Sequence, residues 1–327
     1  MKPINKAILL VGGKGTRLMP LTTNTPKPML KIAGVPVTEH QIVKAREAGI
    51  TEIVLATSYL AEVFEPHFGD GSRFGIEIKY AFETQPLGTG GAIANAAQLL
   101  NLASDESFFI FNGDVLSSHD LAAQSKVHLE MSAEVTLHLV EVEDARAYGC
   151  VPIDDKGRVL DFLEKMDNPV AKTINAGCYV FNAQVISDIP LGAVTSVERE
   201  TFPRLLKSGK NLFGYADSGY WIDMGTPDSM IRASRDLVSN FSLSKATPPV
   251  SDGVLKIGEV KIDETSHVGQ GSYLEKGVVI EENSTVIGSI IGEKAHVESD
   301  VLIENSFIAP GSRVISGSKL QGAIFGF

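Results

Sequence analysis

Two glycine-rich stretches and a few charged residues carry most of the chemistry open to this sequence. In Gly12-Gly13-Lys14-Gly15-Thr16-Arg17, three glycines fall within four positions. Glycine lets the backbone approach a ligand closely and turn several N–H groups into one concavity, which suits an anion such as a phosphate. Lys27 follows ten residues after Arg17, between Pro26 and Pro28. Prolines fix φ and remove donors, so a stiff extended loop is expected to aim Lys27 at a set point. Two cations converging on a glycine-lined anion nest are what nucleotidyl transfer needs. Rival motifs fit less well. A dinucleotide fingerprint started at Gly13 and Gly15 would place its third glycine on Leu18, and a Walker A loop needs its lysine after the last glycine, whereas Lys14 precedes Gly15.

The second stretch, Glu83-Thr84-Gln85-Pro86-Leu87-Gly88-Thr89-Gly90-Gly91-Ala92, opens a helix. Backbone and short polar side chains of this kind can wrap a planar base; taken alone, the stretch also reads as a helix start capped by Thr89. A third feature is Asn112-Gly113-Asp114 at the end of an apolar run. A carboxylate one position past a glycine at a strand end is well placed to hold Mg²⁺ beside a phosphate. A lone Gly-Asp pair is more often a solvated turn.

The elements that position these residues follow from the apolar pattern. Strands are expected at Ala7–Val11, Glu52–Thr57, Ile76–Tyr80 and Phe108–Phe111, with helices over 36–49 and 60–68. That alternation predicts an α/β domain, a Rossmann-like doubly wound sheet with ligands at the carboxyl ends of its strands. Further strands are expected at Val135–Val140, Gly149–Ile153, Val159–Phe162 and Ala176–Phe181, giving a mixed, partly antiparallel extension. With 327 residues, the chain suits one large domain and a smaller one. Its net charge is −11 and it has no basic run, which argues against a nucleic-acid or anionic-membrane surface. No apolar run is longer than a strand, and Lys6 leads straight into the first strand without a leader pattern. Two cysteines, Cys150 and Cys178, fit a reducing cytoplasm.

The run Gly13, Gly15-Thr16-Arg17-Leu18, Pro20-Leu21-Thr22 and Pro26-Lys27-Pro28 resembles the signature of the sugar-1-phosphate nucleotidyltransferases. The resemblance continues through the Pro86-to-Gly91 loop, Tyr148-Gly149, Phe162-Leu163-Glu164-Lys165, Asn175-Ala176-Gly177 and Trp221-Ile222-Asp223-Met224-Gly225-Thr226. It implies catalytic roles for Arg17 and Lys27. It implies nucleotide contacts at Leu10, Gly12, Gly13, Gly15, Thr16, Gln85, Gly88, Thr89, Gly90 and Asn112, and sugar-phosphate contacts at Gly149, Glu164, Lys165, Asn175 and Gly177. Asp114 and Asp223 would carry Mg²⁺. The form of the second loop is closer to the branch that couples GTP to mannose 1-phosphate, making GDP-mannose and pyrophosphate. The alternatives are glucose 1-phosphate with dTTP or UTP, and a silent regulatory paralogue, against which Arg17, Lys27, Asp114 and Asp223 argue. Glu198-Arg199-Glu200 with Pro203 also looks familial, without an assigned role.

Residues 241–258 are rich in Ser and Pro and read as a linker between a catalytic domain at 1–240 and a repeat at 259–327. Aliphatics stand six apart at Ile262, Val268, Leu274, Ile280 and Val286. They resume at Ile291, Val297 and Ile303, then at Ile308, Val314 and Leu320, with one five-residue step at each join. Hexads of this kind indicate a β-helix with stacked aliphatics on its axis, and the resemblance implies a left-handed one. About three to four coils fit, with open edges that favour packing or pairing between subunits; a homo-oligomer, with a dimer favoured, is expected. A hexapeptide acyltransferase using His267 or His296 as base is disfavoured, because the repeat is too short to build an acyl-CoA site.

Overall fold

The computed structural model describes residues 3–163 and 165–327. The chain forms two compact units: one holds the residues up to Lys14 together with Lys44–Trp221, the other Gly15–Val43 and Ile222–Phe327. Helix α1, Val37–Glu47, runs across the division.

The first unit is built on a seven-stranded sheet of β1 (Lys6–Leu10), β2 (Glu52–Thr57), β3 (Glu77–Phe82), β4 (Ser107–Asn112), β5 (Val135–Glu141), β6 (Thr173–Asn182) and β7 (Leu212–Ala216), in the order β7-β5-β6-β4-β1-β2-β3. β1 pairs in parallel with β2 and β4, and β2 with β3. β6 runs antiparallel to both β4 and β5, which makes the sheet mixed, as expected. β1 is apolar on both faces because both are covered; Ile8 and Leu9 are fully buried. Helix α3 (Gly88–Ala97) packs its small residues on β1 and β2, beneath a core that includes Val54, Ile110, Tyr179 and Phe202.

Two sequence expectations differ in detail. The helix over 60–68 starts as a 3₁₀ turn, Ala61–Val63, before the short α2, Phe64–Phe68. Pro66 has no N–H to give and is accommodated in the first turn of α2. The strands expected at Gly149–Ile153 and Val159–Phe162 are isolated bridges, Cys150 to Leu163 and Ile153 to Val159. Their backbone groups are shared among several partners: Val151 N–H donates to Thr173 and Val159 N–H to Leu212, so no continuous ladder forms.

The interior of this unit also holds titratable groups. The rings of His119 and His138 stack at 3.7 Å, and Lys44 Nζ stands 3.0 Å from His119 Nδ1. Burial is the main cause that holds both imidazoles well below their usual value and lowers Lys44 to about 8. Cys178 and Cys150 are free and buried, and burial pushes the Cys178 thiol up to about 12.

The second unit contains the repeat. Its short parallel strands form three sheets of five, four and four strands. Leu274 faces Lys256 on one side and Ile291 on the other, then Ile308 and Phe325 follow. The expected hexad residues line one apolar core, in which Leu274, Ile291, Val297 and Ile303 are fully buried. The stack is consistent with the left-handed β-helix and begins earlier than expected, because Leu255–Lys256, inside the expected linker, also takes part. The alternation there was too short to read among serines and prolines. Buried serines tie one corner of successive coils: Ser289 Oγ accepts from Ser306 N–H, and Ser306 Oγ from Ala323 N–H, both at 3.0 Å.

Residues 15–43 belong to this unit through specific contacts. A Cβ on Gly34 would stand 3.0 Å from Pro248, Lys31 pairs with Glu275 at 3.1 Å, and Ala33 N–H donates to Ser234 Oγ at 3.0 Å. Ser234 lies on α4, Pro227–Ser239, which opens with a capping box between Thr226 and Ser229. Among the described residues no helix is long and apolar enough to cross a membrane.

Candidate active site

Each unit carries part of the residue set singled out by sequence. In the first, β1 ends at Leu10, whose Cα partner on β4 is Asn112. Gly113 N–H donates to Leu10 O at 2.9 Å, and a Cβ at 113 would collide with that oxygen, so Asp114 leaves the strand at a fixed place. Gly12 is held by Ser58, whose Oγ donates to Gly12 O at 2.6 Å. A Cβ on Gly12 would meet that hydroxyl, whereas one on Gly13 would meet nothing within 4 Å. Gly13 thus has open space where a side chain would stand.

The second glycine-rich stretch leads into α3. Gln85 is exposed ahead of α3, and Gly88 has a φ of +70° that favours glycine. Gly90 N–H is engaged within the protein, donating to Thr195 O at 2.8 Å. Thr89 is not the cap; it lies within the first turn of α3, and its hydroxyl donates to Glu198 Oε2 at 2.8 Å while accepting from Val197 N–H at 2.9 Å. Asn175 and Gly177, expected at the sugar, lie on β6. Gly177 N–H donates to Asn175 Oδ1 at 3.0 Å. A Cβ on Gly177, whose φ is +75°, would press on the Asn112 amide. This links a residue expected at the sugar to one expected at the nucleotide. Gly149 is buried with φ +77°, and Lys165 is exposed just past the Cys150–Leu163 bridge. Glu164 lies outside the described residues.

In the second unit, Gly15 adopts a φ of +61°, and a Cβ there would stand 2.9 Å from Lys27 Cβ and 3.1 Å from Thr22. Thr22 Oγ1 donates to Gly15 O at 2.9 Å. The glycine thus lets the chain fold tightly over the lysine. Thr16 and Arg17 sit in an exposed 3₁₀ turn, Thr16–Leu18, that follows it. Lys27 lies in the turn Lys27–Met29 rather than in an extended stretch, only 8% exposed, with Pro28 Oxygen accepting from Thr38 Oγ1. Its Nζ stands 3.7 Å from Asp223 Oδ1. The guanidinium of Arg17 lies over Gly225, where a Cβ would come within 2.8 Å of Nη2. Arg17, Lys27 and Asp223 are therefore gathered around one glycine-bordered place, a convergence across some 200 residues of sequence that only the familial pattern signalled.

Residues 6–240 match the family model described as nucleotidyl transferase, and the chain belongs to that family of enzymes. It is 46% identical over 298 residues to the mannose-1-phosphate guanylyltransferase of Mycobacterium tuberculosis, covering 87% of this chain and 82% of the relative. It is 35% identical to the probable mannose-1-phosphate guanylyltransferase 2 of Oryza sativa subsp. japonica, covering 97% and 89%. Among solved structures, HddC from Yersinia pseudotuberculosis matches with a TM-score of 0.61 and 28% identity, covering 72% of this chain and 100% of the other.

Proposed function

We propose that this protein joins GTP and mannose 1-phosphate into GDP-mannose and pyrophosphate. The observation that carries the reading is the 46% identity to a relative bearing that activity in its name, across 87% of this chain. The clustering of Arg17, Lys27 and Asp223 beside Gly15 supports it with a site suited to phosphates.

The sugar phosphate is already an anionic nucleophile at neutral pH, so the reaction calls for no general base. One of its oxygens attacks the α-phosphorus of the triphosphate, the bond to the β-phosphate breaks, and pyrophosphate leaves with the electron pair. Catalysis then rests on in-line positioning and charge neutralisation. Arg17 stabilises the transition state and the leaving pyrophosphate. Lys27 holds the phosphates of both substrates, with Lys165 and Glu164 on the mannose phosphate and sugar. The backbone of Gly12, Gly13, Gly15 and Thr16 cradles the triphosphate, and Gln85 with Gly88 meets the base.

Asp114 and Asp223 offer hard oxygen donors for Mg²⁺. Among the described residues no group of three or more His, Cys, Asp or Glu could hold a metal by itself. Mg²⁺ usually takes one or two carboxylates together with phosphates and water, so this sparse donor set fits an ion that arrives with the nucleotide. Charge neutralisation at the α-phosphate is the chemistry Mg²⁺ supplies when bound. The net charge of −11 and two buried free thiols support a cytoplasmic enzyme without nucleic-acid or membrane partners, and the open strand edges at the ends of the coil support a homo-oligomer, with a dimer favoured.

The test is pyrophosphate release with Mg²⁺, crossing GTP, dTTP, UTP and ATP against mannose 1-phosphate and glucose 1-phosphate. Clear preference for GTP with mannose 1-phosphate is expected. Preference for another pair would keep the chemistry and replace the substrates, and silence with every pair would remove the activity.

The two loop glycines separate ligand contact from structure. Gly13→Ala should leave the melting temperature unchanged and raise the KM for GTP by about tenfold or more, since its new methyl group faces only the ligand. Gly15→Ala should lower stability by about 1 kcal/mol or more, because it forces alanine to a positive φ against Lys27. Unchanged KM in the Gly13 variant would take the triphosphate away from this loop.

A further inference from the structure

Glu198, which the proposed chemistry leaves without a task, ends a set of hydrogen bonds whose donor directions are all fixed. Its Oε2 accepts from Thr89 Oγ1 at 2.8 Å and from Ser196 Oγ at 3.1 Å. Its Oε1 accepts from the Tyr179 hydroxyl over a longer 3.4 Å. Tyr179, fully buried, accepts in turn from Asn175 Nδ2 at 2.7 Å, and Asn112 also hydrogen-bonds the phenol. Because Asn175 Oδ1 is taken by Gly177 N–H, the amide can sit in one flip only, with its nitrogen towards Tyr179. Thr89 accepts from Val197 N–H and so must give its proton to Glu198.

A carboxylate only accepts, which is why it can close a set in which every neighbour donates. Burial and the Glu198 charge both hold the Tyr179 phenol above its usual range, so it keeps the proton it gives. Local backbone builds the seat. Glu198 lies in a π-turn, Val197–Thr201, in which Thr201 N–H reaches back to Ser196 O at 3.2 Å. Ser196 caps the turn by accepting from Arg199 N–H at 3.1 Å. Wide turns of this kind recur at functional sites, where they re-aim a side chain.

We propose that Glu198 is a positioning residue that fixes the base loop through Thr89 and the Asn175 amide through Tyr179, and thereby sets the preference among hexose 1-phosphates. The proposal rests on the reading of residues 83–92 as the base loop and of Asn175 as a sugar contact. With the amide locked in one flip, a sugar hydroxyl meets a defined donor or acceptor. Without the Tyr179 link, the amide keeps only the Gly177 bond at its oxygen, and its nitrogen end swings to serve either epimer. A glutamine at 198 would bring an N–H₂ group among donors, so at least one partner would lose its acceptor.

Four variants test this: Glu198→Gln, Tyr179→Phe, Thr89→Val, and Glu200→Gln as a control on the same turn. For each, KM for GTP, the ratio of kcat/KM for mannose 1-phosphate over glucose 1-phosphate, and the melting temperature are measured. Glu198→Gln should raise the KM for GTP about tenfold and shrink the sugar ratio about tenfold. Tyr179→Phe, which removes only the phenol link, should shrink the ratio and leave the KM for GTP within about twofold. Thr89→Val should do the reverse, and Glu200→Gln should change neither. A simple loss of packing would lower the melting temperature without that split. An active wild-type enzyme whose Glu198, Tyr179 and Thr89 variants keep both parameters would overturn the role of Glu198 alone. A preference for another sugar would leave the ratio to be measured on that pair, whereas a wild-type protein silent on every pair would overturn the activity and this role together.

Discussion

Replacing Arg17 by alanine should lower kcat roughly a hundredfold or more, a loss of about 3 kcal/mol in transition-state stabilisation of the size seen when one oriented charge donor is removed. The guanidinium is exposed and lies over Gly225, so its removal leaves no buried group stranded and the melting temperature should hold. Arg17→Lys should recover little, since an ammonium is a point charge without the planar fork that can bridge two phosphate oxygens. Gly225→Ala offers a second approach to the same group. The added methyl displaces the end of a flexible side chain, which costs little stability, yet moves the guanidinium proposed to stabilise the leaving pyrophosphate. Near-normal kcat in both Arg17→Ala and Gly225→Ala would take Arg17 out of the mechanism.

The second large effect lies far along the chain from any residue that touches substrate. Ile303 is fully buried on the axis of the coil, between Val286 and Leu320 in neighbouring turns. Ile303→Ala should cost about 2–5 kcal/mol through lost burial and the cavity left behind. Residues 15–43 are held to this unit by Lys31–Glu275, by Ala33–Ser234 and by Gly34 against Pro248. Activity should therefore be lost on heating at a temperature lower by roughly 5–20 °C. An unchanged inactivation temperature, with the coil itself melting early, would show that Arg17 and Lys27 are held without it.

The elements read from sequence are those with an unbroken pattern. The apolar strand before Gly12 and the hexads from Ile262 to Leu320 each obey one period, and each was found where that period placed it. The region between 149 and 163 departs from the strand pattern because its apolar residues reflect burial, while its backbone bonds go to Thr173, Leu212 and Leu163 in turn. Single residues of the site were legible only as familial motifs. Nothing local marks Glu198 as the partner of Thr89, since the two lie 109 positions apart. Likewise, Pro26 and Pro28 suggested an extended stretch around Lys27. The chain instead turns there, with Met29 N–H donating to Pro26 O at 2.8 Å, and the stiffness comes from that turn and from Thr38.

The division of the chain also orders events during synthesis. Residues 15–43 leave the ribosome well before the coil and α4 against which they pack, which are encoded after residue 221. At 5–20 residues per second, the segment with Arg17 and Lys27 waits roughly ten seconds to a minute for its partner. The sheet strands made in that interval can pair among themselves. A nascent chain stopped before the coil would carry Arg17 and Lys27 and still lack the surface against which their segment packs, so their placement is completed only when the coil is made.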